Sequence, residues 1–163
     1  MHLKNIIAST FLVVAVSSAP TEEKKILEVI PGEGLPSLES LGLTAEYLYS
    51  LPAPTTPVPR SPLEKRVILC QSNNCAVDDA IACYHYLRNL GRQNCVVNRD
   101  STFCTAGGCK ITGKSVLTES SWCEHVAVGV LAVIDGCTNT AGRTGGRDVA
   151  YGNGNLLVDT LRR

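Results

Sequence analysis

Methionine is all but missing from these 163 residues, with a single copy at position 1, and tryptophan also occurs once and phenylalanine twice. Net charge is absent too, because 15 basic side chains balance 15 acidic ones. That removes the electrostatic argument for a nucleic-acid binder or a general membrane-surface binder. Proline is absent after Pro62 and cysteine is absent before Cys70, so all eight prolines lie in the front of the chain and all eight cysteines in the back. No apolar run reaches the roughly 20 residues that span a bilayer. The longest one after the first 20 positions is Val126–Ile134, nine residues, so stable membrane insertion is not expected. No Asn-x-Ser/Thr sequon occurs, and no Ser-His-Asp or Cys-His set stands out.

What is present divides the chain into three. Residues 1–19 read as a secretory signal: Lys4 supplies the positive start, Ile6–Val16 the apolar stretch, and Val16-Ser-Ser-Ala19 the small-residue cleavage zone. The protein is therefore expected outside the cell. Residues 20–66 are acidic and proline-rich, ending in Pro52-Ala-Pro-Thr-Thr-Pro-Val-Pro-Arg-Ser-Pro62 and then the dibasic pair Lys65-Arg66. Closely spaced prolines remove backbone donors and favour extended chain. This segment is expected to build no core beyond a short amphipathic turn near Leu35–Leu43. It reads as a pro-segment cut by a furin- or kexin-type protease after Arg66; the alternative is a permanently attached disordered tail.

Residues 67–163 form the mature unit, with nine Lys or Arg and eight Asp or Glu. Its eight cysteines (Cys70, Cys75, Cys83, Cys95, Cys104, Cys109, Cys123 and Cys137) mark a disulfide scaffold, since so short an exported chain buries a limited core. The spacing contains no Cys-Cys doublet, which weighs against hydrophobins and lipid-transfer proteins. It contains no Cys-x-x-Cys either, so neither a zinc ribbon nor a thioredoxin-type site is supported. Eight cysteines allow 105 pairings, and spacing does not choose among them.

Periodicity predicts a strand over Arg66–Cys70, a turn at Gln71–Asn74, and a helix from Cys75 to Leu90 capped by Asn74 and stopped by Gly91. Strands follow at Gln93–Asn98 and Cys109–Lys114. A second helix runs over Ser121–Asp135, with Ser121 and Glu124 as a capping box, although the apolar run Val126–Val133 also fits a buried strand. A glycine-rich loop covers Thr138–Asn155, and Leu156–Leu161 closes the chain as a strand. The order β-α-β-β-α-β predicts an α+β sandwich with two helices on one antiparallel sheet.

Few residues invite chemistry. Gly108-Cys-Lys-Ile-Thr-Gly113-Lys114-Ser115 matches the phosphate-loop pattern, but no apolar strand precedes it and no helix follows, so it reads as a hairpin. His85 and His125 are the only histidines of the mature unit; with Glu124 or Asp79 they would serve a small secreted nuclease, but they read better as helix-edge residues. Tyr84 and Trp122 read as core rather than as a sugar-stacking platform. Arg88, Arg92 and Arg99 form a candidate basic face, and Arg143 and Arg147 sit in the glycine-rich loop, the best candidate recognition loop. No catalytic residue, metal site or cofactor site is expected.

Four stretches carry a family likeness: Val67-Ile-Leu-Cys70-Gln-Ser-Asn-Asn-Cys75, Cys104-Thr-Ala-Gly-Gly-Cys109-Lys-Ile-Thr, Ile134-Asp-Gly-Cys137, and Gly152-Asn-Gly-Asn-Leu-Leu-Val158. Over residues 67–161 the chain resembles the killer toxins of smut fungi and related small secreted fungal proteins that include necrosis-inducing effectors. Thr140 stands where those toxins often carry a further cysteine. The resemblance implies bridges Cys70–Cys137 and Cys83–Cys123. It also implies a secreted, processed, monomeric virulence or killer protein that binds a protein or membrane target outside the producing cell, including in the host apoplast. The other classes in play are a small secreted hydrolase and an extracellular enzyme inhibitor presenting the 138–155 loop.

Overall fold

Alternating burial along the strands builds a six-stranded antiparallel sheet in the order β1-β3-β4-β6-β5-β2. The computed structural model describes residues 28–54 and 68–163. The strands are β1 (Val29–Pro31), β2 (Leu69–Ala76), β3 (Asn94–Ala106), β4 (Cys109–Trp122), β5 (Arg143–Ala150) and β6 (Asn153–Arg162). The helices are α1 (Ala45–Ser50), α2 (Val77–Asn89) and α3 (Cys123–Cys137), with one 3-10 turn at Glu39–Leu41. The class is α+β, as expected, with one more helix and more strands than the sequence pattern gave reason to count. The signal segment and Lys65-Arg66 lie outside the described residues.

Helix α2 places Ala80, Ile81, Tyr84 and Leu87 in the core, and α3 buries nearly its whole central circumference. Val126–Val133 is therefore helical rather than a buried strand. Neither predicted side-chain cap forms. The first turn of α3 is capped by backbone instead: Cys123 N–H donates to Gln93 O (2.9 Å) and Glu124 N–H to Gly91 O (3.0 Å). Asn74 lies in β2, and Val77 N–H at the start of α2 donates to Gly142 O. One first-turn donor of α2 and two of α3 are thus met by neighbouring loops in place of the side chains of Asn74 and Ser121.

The glycine-rich stretch is the largest departure from expectation. It forms β5, held between β6 and β2, not a recognition loop. Gly145 and Gly146 are small because β2 passes close by. A Cβ on Gly145 would stand 2.8 Å from Asn74 Cα, and one on Gly146 2.7 Å from Leu69 O. The glycines permit backbone approach within a sheet, a role that composition alone does not separate from turning.

Residues 28–54 are the second departure. They are folded, and they cross the rest of the molecule as a strap. β1 adds to the Cys104–Ala106 end of β3, with Ile30 opposite Thr105. Thr44 caps α1 by accepting from Tyr47 N–H (3.1 Å), and α1 packs on α2 with Leu48 wholly buried. Leu35, Leu38, Leu41, Leu43 and Leu51 pack around the same core. The prolines dominated the sequence reading, but here the leucines between them decide: enough apolar side chains recur to bury a face.

Four disulfides staple the fold: Cys70–Cys137, Cys75–Cys109, Cys83–Cys104 and Cys95–Cys123. The first is the pair the family resemblance implied. The implied Cys83–Cys123 bridge is replaced, because Cys83 on α2 faces β3 beneath it and Cys123 at the start of α3 faces the start of β3. The helices are therefore each tied to the sheet and not to one another.

Candidate binding surface

Several charged residues of the sheet are engaged in bracing it. Arg147 on β5 forks onto Asp159 of β6, donating from both Nε and Nη2, the latter at 2.7 Å. Asp159 is fully buried, and it also faces Lys114 (3.8 Å), which reaches Asp100 on β3 (3.6 Å). The hydrogen bond to Asp159 raises the Arg147 pKa further, so the guanidinium stays charged. Arg143 donates to the Asn74 side chain (2.7 Å) and carbonyl (2.6 Å), closing the irregular stretch of β2. Arg143 and Arg147, expected as recognition residues, are sheet-bracing residues; the signal for this was Asp159 in the last strand, which no local pattern pairs with Arg147.

The phosphate-loop match ends in the same network. Gly108 turns the β3–β4 hairpin and its N–H donates to Asp79 Oδ2 (2.8 Å), while Lys114 serves Asp100 and Asp159 within β4. No helix follows to point its N-terminus at an anion.

Arg88 and Arg92 converge, and Arg99 does not join them. Arg88 pairs with Glu124 (3.5 Å), and the Arg92 guanidinium lies over the Trp122 ring, 4.5 Å from its centroid. Trp122 stacks on His125 at 5.9 Å, and His125 meets the Tyr151 ring edge-on at 5.4 Å. A half-exposed ladder of cation and three rings thus lines the start of α3, built from three separate stretches of chain. Tyr84 is buried as expected, whereas Trp122 is only partly so. Such a surface offers stacking faces and a cation to a planar or anionic group, with each cation–π contact contributing about 0.5–1 kcal/mol when exposed.

Arg99 stands alone with a left-handed backbone, φ +68°, opposite a bulge in β4. Asn98 pairs with Thr118 but Asp100 with Lys114, so Ser115–Leu117 have no partners in β3. The bulge thrusts out Val116 (90% exposed) and Leu117 (72% exposed) beside a shallow groove of about 610 Å³ that Arg99 and Glu119 also line. Sequence reasoning passed over this feature, since the expected strand ends at Lys114 and residues 115–120 fall in no expected element.

The histidines do not assemble an acid–base pair with the partners considered for them. Asp79 is buried and accepts from Tyr49 O–H (2.8 Å) and Gly108 N–H, and Glu124 is engaged with Arg88. His85 Nε2 lies 3.0 Å from Pro52 O, and burial lowers its pKa although that hydrogen bond opposes the shift. Among the described residues, no group of three or more His, Cys, Asp or Glu is placed to hold a metal ion, and every cysteine is bridged. No helix among them is long and apolar enough to cross a membrane.

Residues 65–162 match the family described as a domain of unknown function, DUF8794, and the chain belongs to that family. No curated protein and no solved structure matches it. The family unit begins at Lys65, so the strap lies outside it and all eight cysteines lie inside.

Proposed function

We propose that this is a secreted, proteolytically processed, cysteine-rich effector or killer-toxin-like protein that acts by binding a target outside the producing cell. One observation carries the reading. All four bridges close between Cys70 and Cys137, so a cut after Arg66 leaves every disulfide in place and severs the stapled domain from the segment before it. The family boundary at Lys65 falls at the same dibasic pair. The ladder of Arg92, Trp122, His125 and Tyr151 supplies the contact surface that is open in the uncut chain, and the working form is taken as a monomer without cofactor.

The test is to express the full chain in a yeast, recover the secreted protein, and apply it to susceptible fungal cells and to leaves. Arg92→Ala should cut killing or necrosis roughly ten-fold while the melting temperature holds, since an exposed cation–π contact contributes at most about 1 kcal/mol to stability. His125→Phe combined with His85→Ala separates the hydrolase reading, because the ring stack survives and the titrating nitrogens do not. Activity lost in that double variant, with the fold intact and binding to the susceptible cells unchanged, would move the protein to the enzymes.

A further inference from the structure

The strap covers a surface that the family domain owns. β1 occupies the outer edge of β3, where Gly32 N–H donates to Phe103 O (2.8 Å) and Gly107 N–H to Glu28 O (3.2 Å). Three polar contacts fix the rest: Tyr49 O–H to Asp79 Oδ1 (2.8 Å), Tyr86 O–H to Pro36 O (2.8 Å), and the His85 ring at Pro52 O (3.0 Å). Leu48 is wholly buried in the apolar core where α1 packs on α2. No disulfide holds any of this, and the strap is joined to the domain only through the stretch that contains Lys65-Arg66.

Removing the strap leaves a surface with defined demands. The β3 edge regains unpaired backbone groups at Phe103 and Gly107, Tyr86 loses its acceptor, Asp79 loses one of its donors, and the Leu48 site opens to water. An edge strand beside an apolar site is the geometry that takes up an extended segment of another protein by strand addition. A cut after Arg66 also changes the strap's hold from intramolecular to bimolecular, which weakens it without altering any contact.

We infer that residues 28–54 are a resident ligand: in the uncut chain they occupy the surface with which the released domain grips its protein target, and that target supplies an extended strand along the β3 edge followed by an apolar side chain in the Leu48 site. This deepens the processed-binder reading and rests on it. The ladder around Trp122 is open in both forms, so it does not by itself make activity depend on cutting. The concealed face does.

The experiment uses the whole disulfide-bonded protein, cut after Arg66 or left uncut, and a fluorescent synthetic peptide of residues 28–54 as the probe. The cut protein should exchange its own strap for the labelled peptide, with apparent affinity roughly a hundred-fold above that of the uncut protein, whose site is held by a tethered competitor. A Gly32→Ala peptide should fail to bind, because its Cβ would stand 1.9 Å from Thr102 O. In the second arm, unlabelled peptide at saturation should suppress the cut protein on susceptible cells, and a Lys65→Ala, Arg66→Ala chain should be inactive unless Gly32→Ala is added to loosen the strap. Cut protein that never exchanges its strap, or activity indifferent to saturating peptide, overturns the inference. If cut and uncut protein are both inert on cells, the effector reading fails, and exchange alone then decides whether the strap is a detachable ligand or part of the fold.

Discussion

The strap and the domain it crosses are held by different kinds of chemistry. Residues 68–163 close on themselves through four disulfides, a buried fork between Arg147 and Asp159, and a core shared by two helices and five strands. Residues 28–54 contain no cysteine and hold on through one short strand, one short helix, Leu48 and a few hydrogen bonds. A helix of six residues has no standing of its own in water, so α1 exists because α2 gives it a surface. The domain's order is written into covalent bonds, while the strap's order is conditional on the domain and on the connection between them.

Reduction should produce the largest break in that comparison. Each native bridge contributes about 2–5 kcal/mol to small exported domains, against total stabilities of about 5–15 kcal/mol. Reduced protein should therefore unfold at moderate temperature and lose its circular dichroism, strap and domain together. A reduced form with an unchanged melting point would mean that the bridges are ornaments on a self-sufficient core. Within the strap, Leu48→Ala should remove about 2–5 kcal/mol of its hold by emptying a filled site. Proteolysis should then attack residues 28–54 while residues 68–163 resist, and equal protection of both parts would count against a separable strap.

Asp159→Ala tests the other side. It strands Arg147 against the sheet and should cost about 3 kcal/mol in denaturant unfolding, the low end for a broken buried pair because Arg147 keeps some contact with water. Its effect should fall on the domain, with strap exchange unaltered.

The smallest effect is one of pH. Burial pushes the Tyr86 phenol from its ordinary 10.0 up to about 12, and burial followed by the hydrogen bond to Asp79 moves Tyr49 in the same direction. A raised phenol is neutral in the strapped state, so its contribution is complete below pH 10 and fades as pH climbs towards 12. Burial also raises Tyr84, so tyrosinate absorbance should show three late-titrating phenols in the uncut protein. Once the strap has been cut and washed away, Tyr49 leaves with it and Tyr86, relieved of its cover at Pro36, should move back towards its ordinary value; an unchanged Tyr86 titration would contradict the burial ascribed to the strap.

Much of the domain was legible because its pattern is local. The 3/4 spacing of Ile81, Tyr84 and Leu87 placed α2, Gly91 stopped it, and eight cysteines in a short unit announced the scaffold. The misses have non-local causes. Gly145 and Gly146 look like turn residues until β2 is seen passing within contact of them. Arg143 and Arg147 look free until Asn74 and Asp159 arrive from elsewhere in the chain. Leu48 looks like one apolar residue in a proline-rich segment until α2 covers it. The Trp122 ladder was half visible, since Arg92 was singled out, but its place over Trp122 and the approach of Tyr151 to His125 depend on contacts between stretches far apart in the chain. The Val116-Leu117 bulge was invisible because the expected strand stopped at Lys114, whereas β4 runs on to Trp122 and its register against β3 slips at Arg99.

The central claim is that a cut after Arg66 frees a domain closed by its own bridges, and intact mass spectrometry of the secreted protein under non-reducing, alkylating conditions tests it most directly. The account predicts a chain beginning at Val67 that takes up no alkylating reagent, and peptide mapping that links Cys70 to Cys137, Cys75 to Cys109, Cys83 to Cys104 and Cys95 to Cys123. A secreted chain that still begins near Pro20 and carries alkylated cysteines would contradict both the processing and the scaffold.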